Sequence, residues 1–84
     1  MSYWNVRVVR TEQHGEAVFD FREVFYDSSN RIVNWTGEAV APHGDNLAEL
    51  TASLEHFARA TRERVLSEQV VDGRLLLVEH GLYR

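Results

Sequence analysis

Hydrophobic and polar residues alternate through the first half of the chain, with the two-residue period of half-buried β-strands. This alternation predicts three strands, over residues 3–10, 16–27 and 31–41. A polar stretch at residues 11–15 separates the first two strands and is expected to form their connection.

The connection between the second and third strands is predicted to be a tight hairpin loop that ends at Asn30. Three-residue hairpin loops commonly end in a left-handed residue, and asparagine tolerates that conformation better than most residues. If Asp27 closes the hairpin opposite Arg31, Glu23 is expected to lie opposite Trp35. The same register places Phe25 opposite Val33.

This register sorts the side chains of the predicted sheet onto two faces. One face is strongly apolar and is expected to pack against a helix; it carries Phe19, Phe21, Phe25, Val33 and Trp35. The reverse face mixes apolar with charged residues, which is typical of a protein interface. With one position from the C-terminal region, the predicted interface residues are Val18, Arg22, Val24, Tyr26, Ile32, Val40 and Leu76.

A single long amphipathic helix is predicted over residues 46–66, because apolar residues recur there at three- and four-residue spacings. Its apolar stripe consists of Leu47, Leu50, Leu54, Phe57, Ala58 and Val65. Asn46 and Glu49 have the spacing of a capping box, which places the N-cap at Asn46. The stripe is expected to cover the Phe face of the sheet, so the replacement of Leu54 by alanine should cost about 2–5 kcal/mol.

A second hairpin is predicted after the helix, because Asp72 and Gly73 lie between two apolar runs. The run at residues 75–78 is unbroken, so this strand is expected either to be buried on both faces or to pair with another molecule. Together these elements predict one α+β domain over residues 1–84. Its antiparallel sheet has the order βββαββ, with the helix packed on one face.

Composition and charge exclude several classes of function. The chain has 84 residues and no cysteine, so it has neither disulfides nor a thiol nucleophile. Its net charge of −4 argues against direct binding to nucleic acid. No apolar run approaches the length of a membrane span and the N-terminus lacks the pattern of a signal peptide, so a cytoplasmic protein without membrane contact is expected.

No group of residues predicts a metal, a cofactor or a catalytic triad. The four histidines are too far apart in sequence to form a local metal-ligand pair, and no phosphate-binding loop is present. Glu23 is the one residue that departs from its surroundings, since alternation places it on the apolar face. A partly desolvated carboxylate there could act as a general acid. The alternative is that a bulge or an ion pair with arginine accommodates Glu23, and packing is the alternative to ligand stacking for Trp4 and Trp35.

Four segments of the sequence carry a resemblance to known proteins. They are Trp4-Asn5-x-Arg7-Val8-Val9-Arg10, Glu23-Val24-Phe25-Tyr26-Asp27, Arg31-Ile32-Val33-x-Trp35-Thr36 and Gly44-Asp45-Asn46-Leu47-x-Glu49-Leu50. The chain resembles a group of small bacterial proteins and, more distantly, the HicB-type antitoxin core, a reduced relative of the RNase H fold. The resemblance implies a protein that neutralises a small toxin through its sheet and helix. No catalytic carboxylates of RNase H can be matched to this chain.

The function expected from the sequence is that of a non-catalytic protein-binding module. It would be an antitoxin-like or host-defence-inhibiting regulator of a bacterium or phage, with a protein partner. The alternatives are a structural subunit of a larger assembly and a small enzyme that uses Glu23 as a general acid or base. A two-fold homodimer is also expected, because one helix leaves the mixed sheet face uncovered. The alternative is that the C-terminal hairpin covers this face within one molecule.

Overall fold

The computed structural model describes residues 2–79 of the chain, and about half of these residues lie in strands. The elements in chain order are β1 (Tyr3–Gln13), β2 (Glu16–Tyr26), β3 (Ile32–Trp35), α1 (Leu47–Ala60), β4 (Leu66–Val71) and β5 (Arg74–Glu79). β1 and β2 form a long hairpin, and β4 and β5 form a shorter one.

The five strands form one mixed sheet in the order β3-β2-β1-β4-β5. β1 and β4 are parallel, with Val9 beside Leu66, whereas the other neighbouring strands are antiparallel. The predicted α+β fold with an antiparallel βββαββ sheet is therefore wrong, since the chain is mostly β and its sheet is mixed. The physical reason is the long connection through α1, because parallel neighbours require a crossover of this kind.

A β-bulge changes the predicted register between β2 and β3. Tyr26 pairs with Ile32, but Phe25 pairs with Asn34, so Val33 is an extra residue on β3. A shift of one residue moves every later side chain to the other face of the sheet. Trp35 therefore lies opposite Val24, and the predicted pairing of Trp35 with Glu23 is wrong.

The hydrophobic core lies on the face of the sheet that does not carry the helix. We call it the core face; its buried residues are Val9, Val24, Tyr26, Leu66 and Leu77, with Ile32 and Trp35 packed against them. Leu66 and Leu77 come from the C-terminal hairpin. Within one molecule, these two residues help to bury the mixed sheet face, which was expected from the sequence to be covered either by a second chain or by this hairpin.

The sheet is curved toward the core face. The indole Nε1 of Trp35 on β3 donates a 2.8 Å hydrogen bond to the Glu68 carboxylate on β4. Three strand spacings separate these two strands, which corresponds to about 14 Å in a flat sheet. Residues of β3 also pack against the cluster that contains Leu77 on β5, so the sheet curls around its core face.

The helix is shorter than predicted and is rotated about its axis. It begins after the N-cap Asn46, as predicted, but it ends at Ala60, whereas the predicted helix continued to residue 66. The buried positions are Phe57 and Ala60, while Leu54 is 51% exposed. Leu54 lies about 60° around the helix from Phe57, so the interpretation that Leu54 belongs to the core is wrong. Within residues 2–79, no helix has the length and apolar character to cross a membrane.

Local turn chemistry agrees with the sequence. Asn30 has a φ of 65°, which confirms the predicted left-handed residue. Asp72 and Gly73 have φ values of 52° and 78°, and they form the predicted two-residue turn between β4 and β5. The backbone amides of Arg31 and Ser29 donate hydrogen bonds to the Asp27 carboxylate, and these bonds lower the pKa of Asp27.

Candidate functional site

An open cleft of about 610 Å³ lies between α1 and the face of the sheet opposite the core. Its volume is in the range of small-ligand and side-chain pockets, about 300–1,000 Å³. Trp4, Val6, Val40, Ala41 and Phe57 are among its apolar lining residues. The charged and polar lining residues include Glu23, His43, Ser53, His56 and Arg59.

The sheet side of the cleft is set by the alternation in β1 and β2. Val6 lies directly opposite Glu23, and Trp4 lies opposite Phe25 on the same face. Opposite residues in an antiparallel pair point to the same side, so the Trp4 indole and the Glu23 carboxylate are diagonal neighbours. The structure thus places Glu23 on the helix side, as the alternation predicts, with Trp4 rather than Trp35 as its aromatic neighbour.

One aromatic contact positions α1 on the helix side of the cleft. Phe57 meets Phe21 edge to face, with ring centroids 4.9 Å apart and an interplanar angle of 77°. This contact and the buried Ala60 fix the rotation of α1. Because residues three and four apart share a helix face, Ser53, His56 and Arg59 are turned toward the cleft.

The segment between β3 and α1 closes one end of the cleft. The backbone amide of Val40 donates to the Phe21 carbonyl, and the amide of His43 donates to Ser53 Oγ. A Cβ atom on Gly44 would overlap the backbone of the first helical turn, so only glycine allows this close approach.

The helix N-terminus is held by a capping box in a modified form. Asn46 Oδ1 accepts a hydrogen bond from the Glu49 amide, as predicted. The Glu49 carboxylate accepts a hydrogen bond from the backbone amide of Asp45, whereas in a standard capping box it would accept one from the amide of Asn46. These bonds fix the start of α1 beside the cleft.

The described residues of the cleft do not form an assembled nucleophile and base. Ser53 Oγ accepts from the His43 amide, and in the described part of the chain no hydrogen bond joins it to His43 or His56 through an imidazole. Within residues 2–79, no group of three or more histidine, cysteine, aspartate or glutamate side chains is placed to hold a metal ion. The cleft offers an aromatic ring, a carboxylate and several hydrogen-bond donors.

Large apolar side chains are exposed on the same side of the molecule. We call this set the helix-side surface; Trp4 is 57% exposed, Phe19 57%, Leu47 77% and Leu54 51%. Trp4 and Phe19 lie on the helix face of the sheet, and the two leucines lie on α1. Large apolar side chains that are exposed on one side of a protein are typical of protein-binding surfaces.

Five of the seven interface residues predicted from the sequence lie on the core face, whereas Val40 and Leu76 do not. Arg22, Val24 and Tyr26 are buried on the core face. Val18, Ile32, Val40 and Leu76 are half-buried, and Val40 lines the cleft on the other side of the sheet. A partner could touch only these half-buried members, and for them the interface remains a prediction.

Arg22 forms the centre of a buried polar network instead. Its guanidinium donates two hydrogen bonds to Asp20, at 2.7 and 3.2 Å, and one to the carbonyl of Thr36. Glu68, which accepts from Trp35, lies 4.0 Å from the same guanidinium. This network joins β2, β3 and β4 at one end of the core face.

Sequence reasoning identified Glu23 but missed most of the cleft. The sequence leaves both packing and ligand stacking open for Trp4, and the spacing of its histidines does not bring His43 and His56 together. Ser53 could have indicated the cleft from the sequence. It is a polar residue four positions before Phe57, so it lies on the sheet-facing side of α1 at a point where the helix does not pack on the sheet.

Comparison of the chain with family models, curated proteins and solved structures finds no match.

Proposed function

We propose that this protein is a non-catalytic, cytoplasmic protein-binding module that contacts its partner through the cleft and the helix-side surface. One observation carries the proposal: four large apolar side chains, each more than half exposed, lie on the side of the molecule that contains the cleft. Tryptophan is the residue type most enriched among those that dominate binding energy at interfaces.

The polar groups of the cleft also support recognition. Glu23, His56 and Arg59 offer both signs of charge and several hydrogen-bond donors around an apolar floor. Interfaces combine an apolar centre with a polar rim in the same way. The resemblance to the HicB-type antitoxin core points to a regulator, either an antitoxin or an inhibitor of a host-defence protein.

Capture of the partner tests this proposal. The intact protein and a Trp4→Ala variant are used to retain proteins from the native host, with Val70→Ala as the matched control. Val70 is also highly exposed, but it lies on the distant β4–β5 hairpin. Trp4→Ala is expected to weaken binding by roughly thirtyfold or more, which corresponds to about 2 kcal/mol, and Val70→Ala should bind normally.

Two results contradict the proposal. One is a partner retained equally by the Trp4→Ala variant and the intact protein. The other is a partner lost only by the Val70→Ala control. A chain that purifies solely in a large assembly of fixed stoichiometry would instead favour the structural-subunit alternative.

We also propose that the protein forms a two-fold dimer through the edge strand β5. The support is that β5 lies at the end of the sheet and that Leu75 on it is 54% exposed. A strand edge of this kind is commonly paired or covered. Light scattering across a roughly hundredfold dilution should show a mass above that of the monomer, with Leu75→Glu reducing it. A mass near 9.7 kDa at every concentration contradicts the dimer.

A further inference from the structure

Glu23 is half-buried, and its carboxylate has no charged partner among residues 2–79. The ion pairs within residues 2–79 involve other carboxylates: Arg10 with Glu12, Arg22 with Asp20 and Glu68, and Arg64 with Glu79. The Glu23 backbone amide donates to Thr36 Oγ1, but in the described range no donor is hydrogen-bonded to its side chain. By contrast, Asp20 and Glu68 are similarly half-buried, and each accepts a hydrogen bond.

An aromatic ring accompanies this carboxylate. Trp4 and Glu23 are diagonal neighbours on adjacent strands, where backbone positions lie about 7–8 Å apart, within reach of long side chains. Both line the same cleft, and the indole is more than half exposed. An unpaired carboxylate beside an exposed indole is suited to a cation that is also planar.

We propose that the cleft binds an arginine side chain of the protein partner; this inference rests on the proposed protein-binding function. The guanidinium would stack on the Trp4 ring and direct its fork of N–H donors at the Glu23 carboxylate. Lysine fits less well, because a compact ammonium neither stacks nor binds both carboxylate oxygens. Glu23 would gain a charged partner that residues 2–79 do not supply.

The helix side of the cleft restricts the sequence around this arginine. Arg59 lines the cleft but is not within 4.0 Å of a carboxylate in the described residues. His56 lies on the same side. A uniformly basic segment would be repelled by Arg59, so the arginine belongs to a segment that is otherwise neutral or acidic.

Nuclear magnetic resonance can test the inference with a defined probe. The protein is labelled with ¹⁵N and titrated with the capped tripeptide acetyl-Ala-Arg-Ala-amide, while the two indole N–H signals are followed. The Trp4 signal is assigned as the one that disappears in Trp4→Phe. It should shift in a saturable manner, whereas the Trp35 signal should stay, because that indole is bonded to Glu68 on the core face.

Chemical variants of the probe and one substitution sharpen the test. The citrulline tripeptide, which is neutral but nearly the same shape, should bind roughly ten- to a hundredfold more weakly, as expected for loss of a charge-assisted bond. The Glu23→Gln substitution should weaken binding of the arginine tripeptide by a similar factor and leave the melting temperature of the protein unchanged. If that variant fails to fold, the comparison of arginine with citrulline in the unaltered protein decides alone.

Three results overturn the inference: no saturable shift of the Trp4 signal, equal binding of the arginine and citrulline tripeptides, or an equal response of both indoles. Its failure differs from failure of the proposed function. Partner capture that depends on Trp4 without arginine binding removes only the inference. Arginine binding without a Trp4-dependent partner removes the protein-binding function.

Discussion

Replacement of Leu66 by alanine is expected to lower the free energy of unfolding by about 2–5 kcal/mol. Leu66 is fully buried at the point where β4 joins β1, beside Val9. Its side chain fills the centre of the core face, and Val24 and Leu77 belong to the same cluster. Removal of the side chain leaves a cavity that a curved sheet with a single small core cannot easily close. Urea denaturation measures the effect.

Leu54→Ala is the matched control for this experiment. The same atoms are removed, but Leu54 lies on the exposed side of α1. Its cost should stay within about 0.5–1 kcal/mol, as for most surface substitutions. The opposite order, with Leu54→Ala the more damaging change, would place the core under the helix and contradict the fold described above.

Replacement of Arg22 by methionine is expected to destabilise the protein by about 3–5 kcal/mol. Arg22 is buried, and methionine would keep much of its apolar contact while removing its charge. The variant leaves the Asp20 and Glu68 carboxylates without their cation. It also leaves the Thr36 carbonyl without a donor. Unpaired charges and acceptors in a partly buried site carry the full cost of their lost solvation.

Arg10→Met provides the comparison for Arg22. Arg10 also pairs with a carboxylate on its own strand, but Glu12 is largely exposed to water. An exposed pair of this kind contributes about 0–1 kcal/mol. Thermal and urea unfolding of the two variants should therefore differ clearly. Equal, small effects would show that the Arg22 network does not hold β2, β3 and β4 together.

Features that depend on neighbouring residues were predictable from the sequence. Asn30, the Asp72-Gly73 pair and the Asn46 cap are confirmed, because each depends on the conformational range or hydrogen-bonding reach of one or two side chains. The helix was predicted too long, since Thr61 ends it while residues up to Val65 continue the apolar pattern. Val65 is buried, but it packs from the connection to β4 and not from the helix.

Features that depend on distant residues were not predictable in the same way. The parallel pairing of β1 and β4 is formed by segments more than 50 residues apart, and no local pattern encodes it. A single extra residue at Val33 moves Trp35 to the core face. Both faces of β1 and β2 carry apolar residues, so periodicity alone could not decide which face is the core.

The candidate site was predictable only in part, for the same reason. Alternation correctly places Glu23 on the same face as Phe21 and Phe25, because it depends on β2 alone, but this face is the helix side and not the core face. The exposure of Trp4 and Leu54 depends on how α1 is rotated, and the Phe57–Phe21 contact fixes that rotation. Buried Arg22 was placed in an interface because a charged residue on a strand normally indicates solvent or a partner.

Site-specific photo-crosslinking in the native host tests the central claim, that the partner contacts the cleft and the helix-side surface. A photoreactive amino acid is placed at position 54 on α1, and at position 70 on the β4–β5 hairpin as the control. Both positions are more than half exposed. The account predicts that position 54 yields an adduct with one partner protein, whereas position 70 yields none with that protein. An adduct of the partner from position 70 and none from position 54 would contradict it.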